Sequence, residues 1–235
     1  MLALETSTFP DAGTQLATLT SPMSQGVTGH RVGRAKTQIV ERKEHVFHEG
    51  DDATHIFKVE CGHVCIYRTL NDGRRQVIDF AFSGDFIGLG AAEQHTMSAQ
   101  ATERTRLTYL PTSEMRSIVR ENPALGLELY QAISSQLSAT REMLVAVGQR
   151  SAEERLAGFL LTLSRRNASR GEDASTIVLP MTRSDIADYL GMTIETVSRM
   201  MSKMRRQGLI DIEQCILVTI NDAEALADIA SGKLR

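Results

Sequence analysis

From residue 30 to about residue 110, apolar and polar residues alternate in short runs broken by glycine. Residues 56–59, 64–67, 77–82 and 107–110 read as strands. Gly50, Gly62, Asn71-Asp72-Gly73, Ser83-Gly84-Asp85 and Gly88/Gly90 read as the turns between them. Asn, Asp and Gly tolerate the left-handed conformations that tight hairpins demand, so this half is expected to be an antiparallel roll or barrel.

Near Pro111 the period changes. Thr112-Ser113-Glu114 opens a short helical stretch, and Asn122-Pro123 opens a long one. Along it, Tyr130, Ile133, Leu137, Thr140, Leu144 and Val147 recur at alternating spacings of three and four, the seam of two helices packed along their length. Such a stripe serves either a second copy of the chain or the helix's own domain. The run is sustained and Gln, Ser and Arg fill most positions outside it, which favours a dimer. Ser151 through Glu154 form a capping-box pattern, starting a helix that runs to Arg166. A polar loop at 167–175 and a short strand at 176–179 follow, closed by Pro180.

Thr182-Arg-Ser-Asp185 again reads as a helix start, with a helix over 183–190 that stops at Gly191. Thr193 caps a second helix over 194–207. Ala187, Gly191 and Val197 give a close approach, a turn and a packing residue at the spacing of a helix-turn-helix, with Ile186, Leu190, Met200 and Met204 completing the core face. Segments 209–212 and 216–220 can pair around Glu213-Gln214-Cys215 as a wing, and Asn221 with Glu224 is expected to cap a last helix before Gly232. The fold class is therefore α+β. A loose tail (1–29) precedes a β-roll (30–122), a long dimerisation helix (123–150) and a winged helix-turn-helix (151–235).

The second helix of such a unit enters the DNA major groove by its N-terminal end. Its outward residues there are Ile194, Glu195, Ser198 and Arg199. Arg199 can donate two hydrogen bonds to O6 and N7 of guanine, Glu195 can accept from the amino group of cytosine, and Ile194 suits a thymine methyl. Glu195 lies four residues before Arg199 and can also hold it in place; the plainer reading of that pair is a surface ion pair. Thr182, Arg183, Thr193 and Thr196 lie at helix N-termini and suit phosphates. Lys203 and Arg206 either add backbone contacts or are simply solvated.

Charge supports this reading locally. The 235-residue chain carries a net charge of −3. Between Thr182 and Gly208, however, five cations face three anions. With 42% hydrophobic residues and a mean hydropathy of −0.17, the composition is that of a soluble protein. No apolar run approaches the roughly 20 residues of a membrane helix. Three cysteines and an N-terminus unlike a secretory signal suggest the reducing cytoplasm. No phosphate-binding loop, nucleophile elbow or framed carboxylate pair suggests an enzyme. A helix-turn-helix that contacts protein instead would not need the Glu195–Arg199 chemistry.

The string from Gly191 to Arg199, with Glu195-x-x-Ser198-Arg199, resembles the recognition helix of the CRP/FNR family of bacterial regulators in its FNR-like form. The resemblance runs from about residue 30 to the end and includes Phe82-Ser-Gly-Asp-Phe-Ile-Gly88. It implies a cyclic-nucleotide-binding-type β-roll, a dimer on the long helix, and double-stranded DNA carrying an inverted repeat of TTGA-type half-sites. It also implies contact with RNA polymerase, with the loop at Ser83–Asp85 as one candidate surface. Departures from the pattern matter. Nucleotide-binding members have a glutamate where Leu89 stands and an Arg-Ser pair where Met97-Ser98 stands, so a cyclic phosphate loses its charge partner. Members of the FNR type hold an iron–sulfur cluster on N-terminal cysteines, and here the first cysteine is Cys61. The remaining likeness is to the FixK branch, which implies control of microaerobic respiration, nitrogen-fixation or denitrification genes, generally by activation and without a cofactor. The recognition helix alone does not separate this branch from effector-gated relatives that sense haem-bound ligands, nitric oxide or thiol oxidation and bind DNA in the same mode.

Two other groups of residues invite chemistry. His45, His48 and His55 lack the dense ligand spacing of a metal or haem site, so no metal is expected. Cys61, Cys65 and Cys215 are candidate redox thiols, with Cys215 favoured by its place at the tip of the wing.

Overall fold

The structure, a computed structural model, describes residues 35–90 and 92–233; the tail expected at 1–29 lies outside them. Eight strands form the roll: β1 (Lys36–Val40), β2 (His45–Phe47), β3 (His55–Cys61), β4 (Val64–Thr69), β5 (Arg75–Ala81), β6 (Phe86–Ile87), β7 (Ser98–Ala101) and β8 (Thr105–Pro111). They make two antiparallel sheets, ordered β1-β8-β3-β6 and β2-β7-β4-β5. Val40, Phe57, Val59, Val64, Ile87, Ala99 and Leu107 fill the space between them. Gly62 makes the β3–β4 turn at φ +93°, where an added Cβ would lie 2.6 Å from Thr105 Oγ1. Both the backbone and the space demand glycine there.

The four strands expected from alternation are present, each extended or shifted by one to three residues. β1, β2, β6 and β7 were not foreseen. β7 is Ser-Ala-Gln-Ala, buried between β2 and β4. Small residues fit that crowded layer but give no hydrophobic alternation to read.

After a 3-10 turn (Thr112–Glu114), α1 (Met115–Glu121) leads into α2 (Pro123–Gln149). Pro123 sits at the start of α2, where its missing N–H costs nothing. At 27 residues α2 is about 40 Å long. It turns Leu129 and Ala146 inward, while Gln136 donates from Nε2 to the Phe86 carbonyl at 3.2 Å. The capping box of Ser151 and Glu154 starts α3 (Ala152–Ser169), three residues longer than expected.

The C-terminal part continues with β9 (Thr176–Val178), α4 (Arg183–Leu190), α5 (Ile194–Arg206), β10 (Ile210–Glu213), β11 (Leu217–Ile220) and α6 (Ala223–Ala230). The wing sheet is ordered β10-β11-β9. Two details refine the sequence reading. The last helix is capped by Asp222, whose side chain accepts from Ala225 N at 2.9 Å, while Asn221 donates to Gly208 O and to Asp211. Met201, absent from the expected core face, is buried beside Met204, and Met200 is half-buried against the same core.

The roll and the C-terminal helices share a core. Cys65, Val77, Phe80 and Phe82 pack in one cluster with Leu156, Phe159, Leu160, Ile186 and Leu190. The rings of Phe80, Phe159 and Tyr189 lie 5.3 to 6.4 Å apart. No helix among the described residues is long and apolar enough to cross a membrane.

Candidate nucleic-acid interface

The geometry begins at Thr182. Its hydroxyl accepts from Asp185 N at 3.1 Å, and Asp185 Oδ2 accepts in return from Thr182 N at 2.9 Å. This reciprocal cap satisfies the first free N–H groups of α4 and fixes where the helix begins. At the far end Gly191 adopts φ 62°, ψ 49°. Arg155 of α3 donates from Nη1 to the Leu190 carbonyl at 2.5 Å and to Gly191 O at 3.3 Å. The turn between the two helices is therefore held from behind. Thr193 then caps α5, accepting from Thr196 N at 3.3 Å.

α5 buries Val197, Met201 and Met204 and leaves Ile194, Glu195, Ser198 and Arg199 exposed. Arg199 donates from Nη2 to Thr196 Oγ1 at 3.3 Å. The hydroxyl of Thr196 thus steadies the guanidinium by a hydrogen bond, while Glu195 acts on Arg199 through charge alone. The Glu195 carboxyl sits below its usual range, chiefly through its own backbone N–H and then Thr193, with Arg199 a lesser cause. It is an anion and a pure acceptor at neutral pH.

The phosphate candidates differ among themselves. Thr182 and Thr193 are exposed and Thr196 is half-buried. Arg183 is half-buried, with Nη2 3.5 Å from the Cys215 carbonyl and Nη1 buried without a partner among the described residues. It ties the start of α4 to the wing. Lys203 lies 2.6 Å from Glu153 Oε2, which holds α5 against α3. Arg206 is exposed, with Arg205 beside it, at the C-terminal end of α5. There the helix dipole also favours cations.

The wing tip carries Gln214 and Cys215 at φ 49° and 64°, with Ile216 N donating to Glu213 O at 3.1 Å. Cys215 and Cys61 are exposed. Cys65 is buried, and burial pushes its thiol up to about 12. It is not a thiolate at neutral pH, so the redox role expected of it is withdrawn. Asp85 is engaged within the protomer. Its carboxylate accepts from Arg166 of α3 at 2.5 Å and from Phe82 N at 2.9 Å. The Asp85 side chain remains 32% exposed, and with half-buried Ser83 and exposed Gly84 the loop lies at the surface.

All six seam residues of α2 lie at the surface. Tyr130 is 68% and Leu144 75% exposed, and Leu127 and Val145 extend the apolar area. Beneath α2 the roll forms a half-open pocket of about 310 Å³ lined by Phe47, Ile66, Leu89, Met97, Gln136 and Asp79 among others. Its described lining holds no Lys or Arg. His95 borders it stacked on Phe47 at 3.7 Å, and burial lowers its basicity. Ser98, buried, accepts from Glu49 N at 3.0 Å. His45 is bonded to Tyr67 and His55 to Thr54. Among the described residues no group of three or more His, Cys, Asp or Glu is arranged to hold a metal.

Comparison with known proteins agrees with this geometry. Residues 37–122 match the cyclic nucleotide-binding domain, and residues 154–229 match the Crp-like helix-turn-helix domain. The nitrogen fixation regulation protein FixK of Bradyrhizobium diazoefficiens is 39% identical over 169 residues, covering 72% of this chain and 71% of its own. Electron transport regulator A of Shewanella oneidensis is 31% identical over 79% of this chain and 78% of its own. The solved structure of FixK2 from Bradyrhizobium japonicum has a TM-score of 0.76 at 29% identity, covering 83% of this chain and 96% of that one. The chain belongs to the CRP/FNR family of DNA-binding transcription regulators, in its FixK-like branch.

Proposed function

We propose that the protein is a cytoplasmic homodimer that reads an inverted repeat of TTGA-type half-sites and activates genes for low-oxygen respiration, nitrogen fixation or denitrification. The observation that carries this is the first turn of α5. There Ile194, Glu195, Ser198 and Arg199 stand in solvent above a helix pair fixed at both ends. Arg199 and Glu195 read the guanine and cytosine edges and Ile194 packs on a thymine methyl. Ser198 lies beside them. Thr182, Arg183, Thr193, Thr196 and Arg206 meet phosphates and set the register; Lys203 joins them once freed from Glu153. The exposed stripe on α2 supplies the twofold partner, and a twofold protein matches an inverted repeat. Names of the similar proteins point to nitrogen fixation and anaerobic regulation. Contact with RNA polymerase completes activation.

The roll cavity supports activity without an obligatory cofactor. A cyclic phosphate would find Met97 and Leu89 where it needs a cation and a ribose acceptor, and Asp79 as a nearby acid. The same cavity favours a second reading, in which an apolar effector gates the same DNA-binding mode. One titration separates them. Protein purified under air without effector is added to the TTGA-type repeat and to a scrambled control, and its absorbance is recorded. Specific binding by a colourless protein supports the first reading. No binding, or a bound chromophore, overturns it in favour of the second.

A further inference from the structure

β5 reaches out of the roll to grip the helix-turn-helix. Arg75 Nη1 lies 3.1 Å from Asp185 Oδ1, Nη2 lies 3.0 Å from Cys65 Sγ, and the guanidinium sits over the Tyr67 ring at 4.0 Å from its centroid. Gln76, the next residue, donates from Nε2 to the Asp188 carbonyl. Two consecutive roll residues therefore hold successive parts of α4, which lies 110 residues further along the chain. The Asp185 side chain is only 13% exposed. Its other oxygen accepts from the backbone N and hydroxyl of Thr182 at 2.9 and 2.7 Å. One carboxylate thus caps the helix and fastens it to the roll. A part-buried, hydrogen-bonded, charged contact of this kind is directional, unlike the apolar core behind it.

We propose that Arg75, assisted by Gln76, is a positioning residue that sets the half-site spacing at which the dimer binds DNA. This rests on the reading of the chain as a dimer that recognises an inverted repeat. A helix-turn-helix hung on a linker would follow its half-site through small rotations. One fastened to the roll carries a fixed offset from the α2 seam, and hence from the dimer axis. A spacer longer by one base pair rotates one half-site by about a tenth of a turn against the other. Base preference then belongs to α5, and spacing preference to the Arg75 contact. The two are separable because Arg75 lies on the roll and reads no base.

The test measures affinity for TTGA-type repeats with the optimal spacer and with one base pair added or removed, for the parent, Arg75→Ala, Arg75→Lys and Gln76→Ala. Each protein is also measured on repeats of optimal spacing with scrambled half-sites, and its dimeric state is checked by sedimentation. The parent is expected to lose about tenfold on altered spacers. Arg75→Ala should reduce that penalty to about twofold while keeping the parent's preference for TTGA-type over scrambled half-sites, with Arg75→Lys intermediate. Gln76→Ala removes one uncharged bond and should reduce the penalty in part, which keeps the test decisive if Arg75→Ala fails to fold. A folded, dimeric Arg75→Ala, or in its absence Gln76→Ala, with the parent's full spacing penalty overturns the positioning role. A parent that does not prefer the repeat over scrambled DNA overturns the DNA reading itself, and the positioning role with it.

Discussion

α2 and α5 each leave one face without a partner in the protomer, and the chemistry of the two faces is opposite. On α2 the free face is apolar, from Leu127 through Tyr130, Ile133, Leu137 and Leu144 to Val147. On α5 the free face carries Glu195, Ser198, Arg199, Arg205 and Arg206 over a buried row of Val197, Met201 and Met204. An apolar stripe gains by leaving water and suits a like surface. A face of fixed donors and acceptors gains by meeting complementary edges and phosphates. Partner class is therefore written in the residues each helix does not bury.

The largest effect should come from breaking the apolar face. Leu137→Glu combined with Leu144→Glu is expected to give monomers in sedimentation, with DNA affinity reduced by about 10²–10⁴ as the second half-site is lost. A dimer that survives both changes would mean that the stripe serves another purpose. Arg199→Ala should cost about 1–3 kcal/mol per half-site and relax preference at the guanine step, while leaving dimerisation intact. An Arg199→Ala variant that binds TTGA-type and scrambled DNA as the parent does would remove Arg199 from base reading.

A third test addresses the roll beside α2. Burial raises Asp79 to about 6, above its ordinary value, so folding favours the protonated acid. The ionised form therefore costs stability that is absent below the unfolded pKa and reaches its full size as pH rises through 6. Asp79→Asn should stabilise the protein at pH 7.5 by about 1–3 kcal/mol, and the gain should vanish near pH 4 in thermal melts. The smallest change expected is for Arg206→Ala, which should lower the salt dependence of binding by about one phosphate per protomer without altering sequence preference. An unchanged salt slope would leave Arg206 a solvated cation.

The parts of the fold legible in the sequence are those fixed by near neighbours. The reciprocal caps at Ser151/Glu154 and Thr182/Asp185 span three residues, and the positive φ of Gly191 is a property of one. Such features survive without knowledge of the rest of the chain. Ala99 and Ala101 gave no signal because their strand is made by its neighbours. Asp222 displaced Asn221 as a cap because Asn221 is drawn to Gly208 and Asp211 across the wing. The exposed N-terminal turn of α5 could be placed from its cap, but the hold of Arg155, Glu153 and Arg75 on the reading unit could not. Those contacts join residues 35 to 110 positions apart, and no local spacing encodes them.

The continuous packing of Phe80, Phe82, Phe159, Ile186 and Leu190 also bears on how the chain comes apart. Loosening the reader exposes the flank of the roll, and loosening that flank exposes the reader. Heat should therefore undo both in a single cooperative step, with calorimetric and van't Hoff enthalpies in agreement for the protomer once dissociation is accounted for. On that outcome the sensor-shaped half and the DNA-reading half form one thermodynamic unit, and a core substitution in either lowers the stability of both.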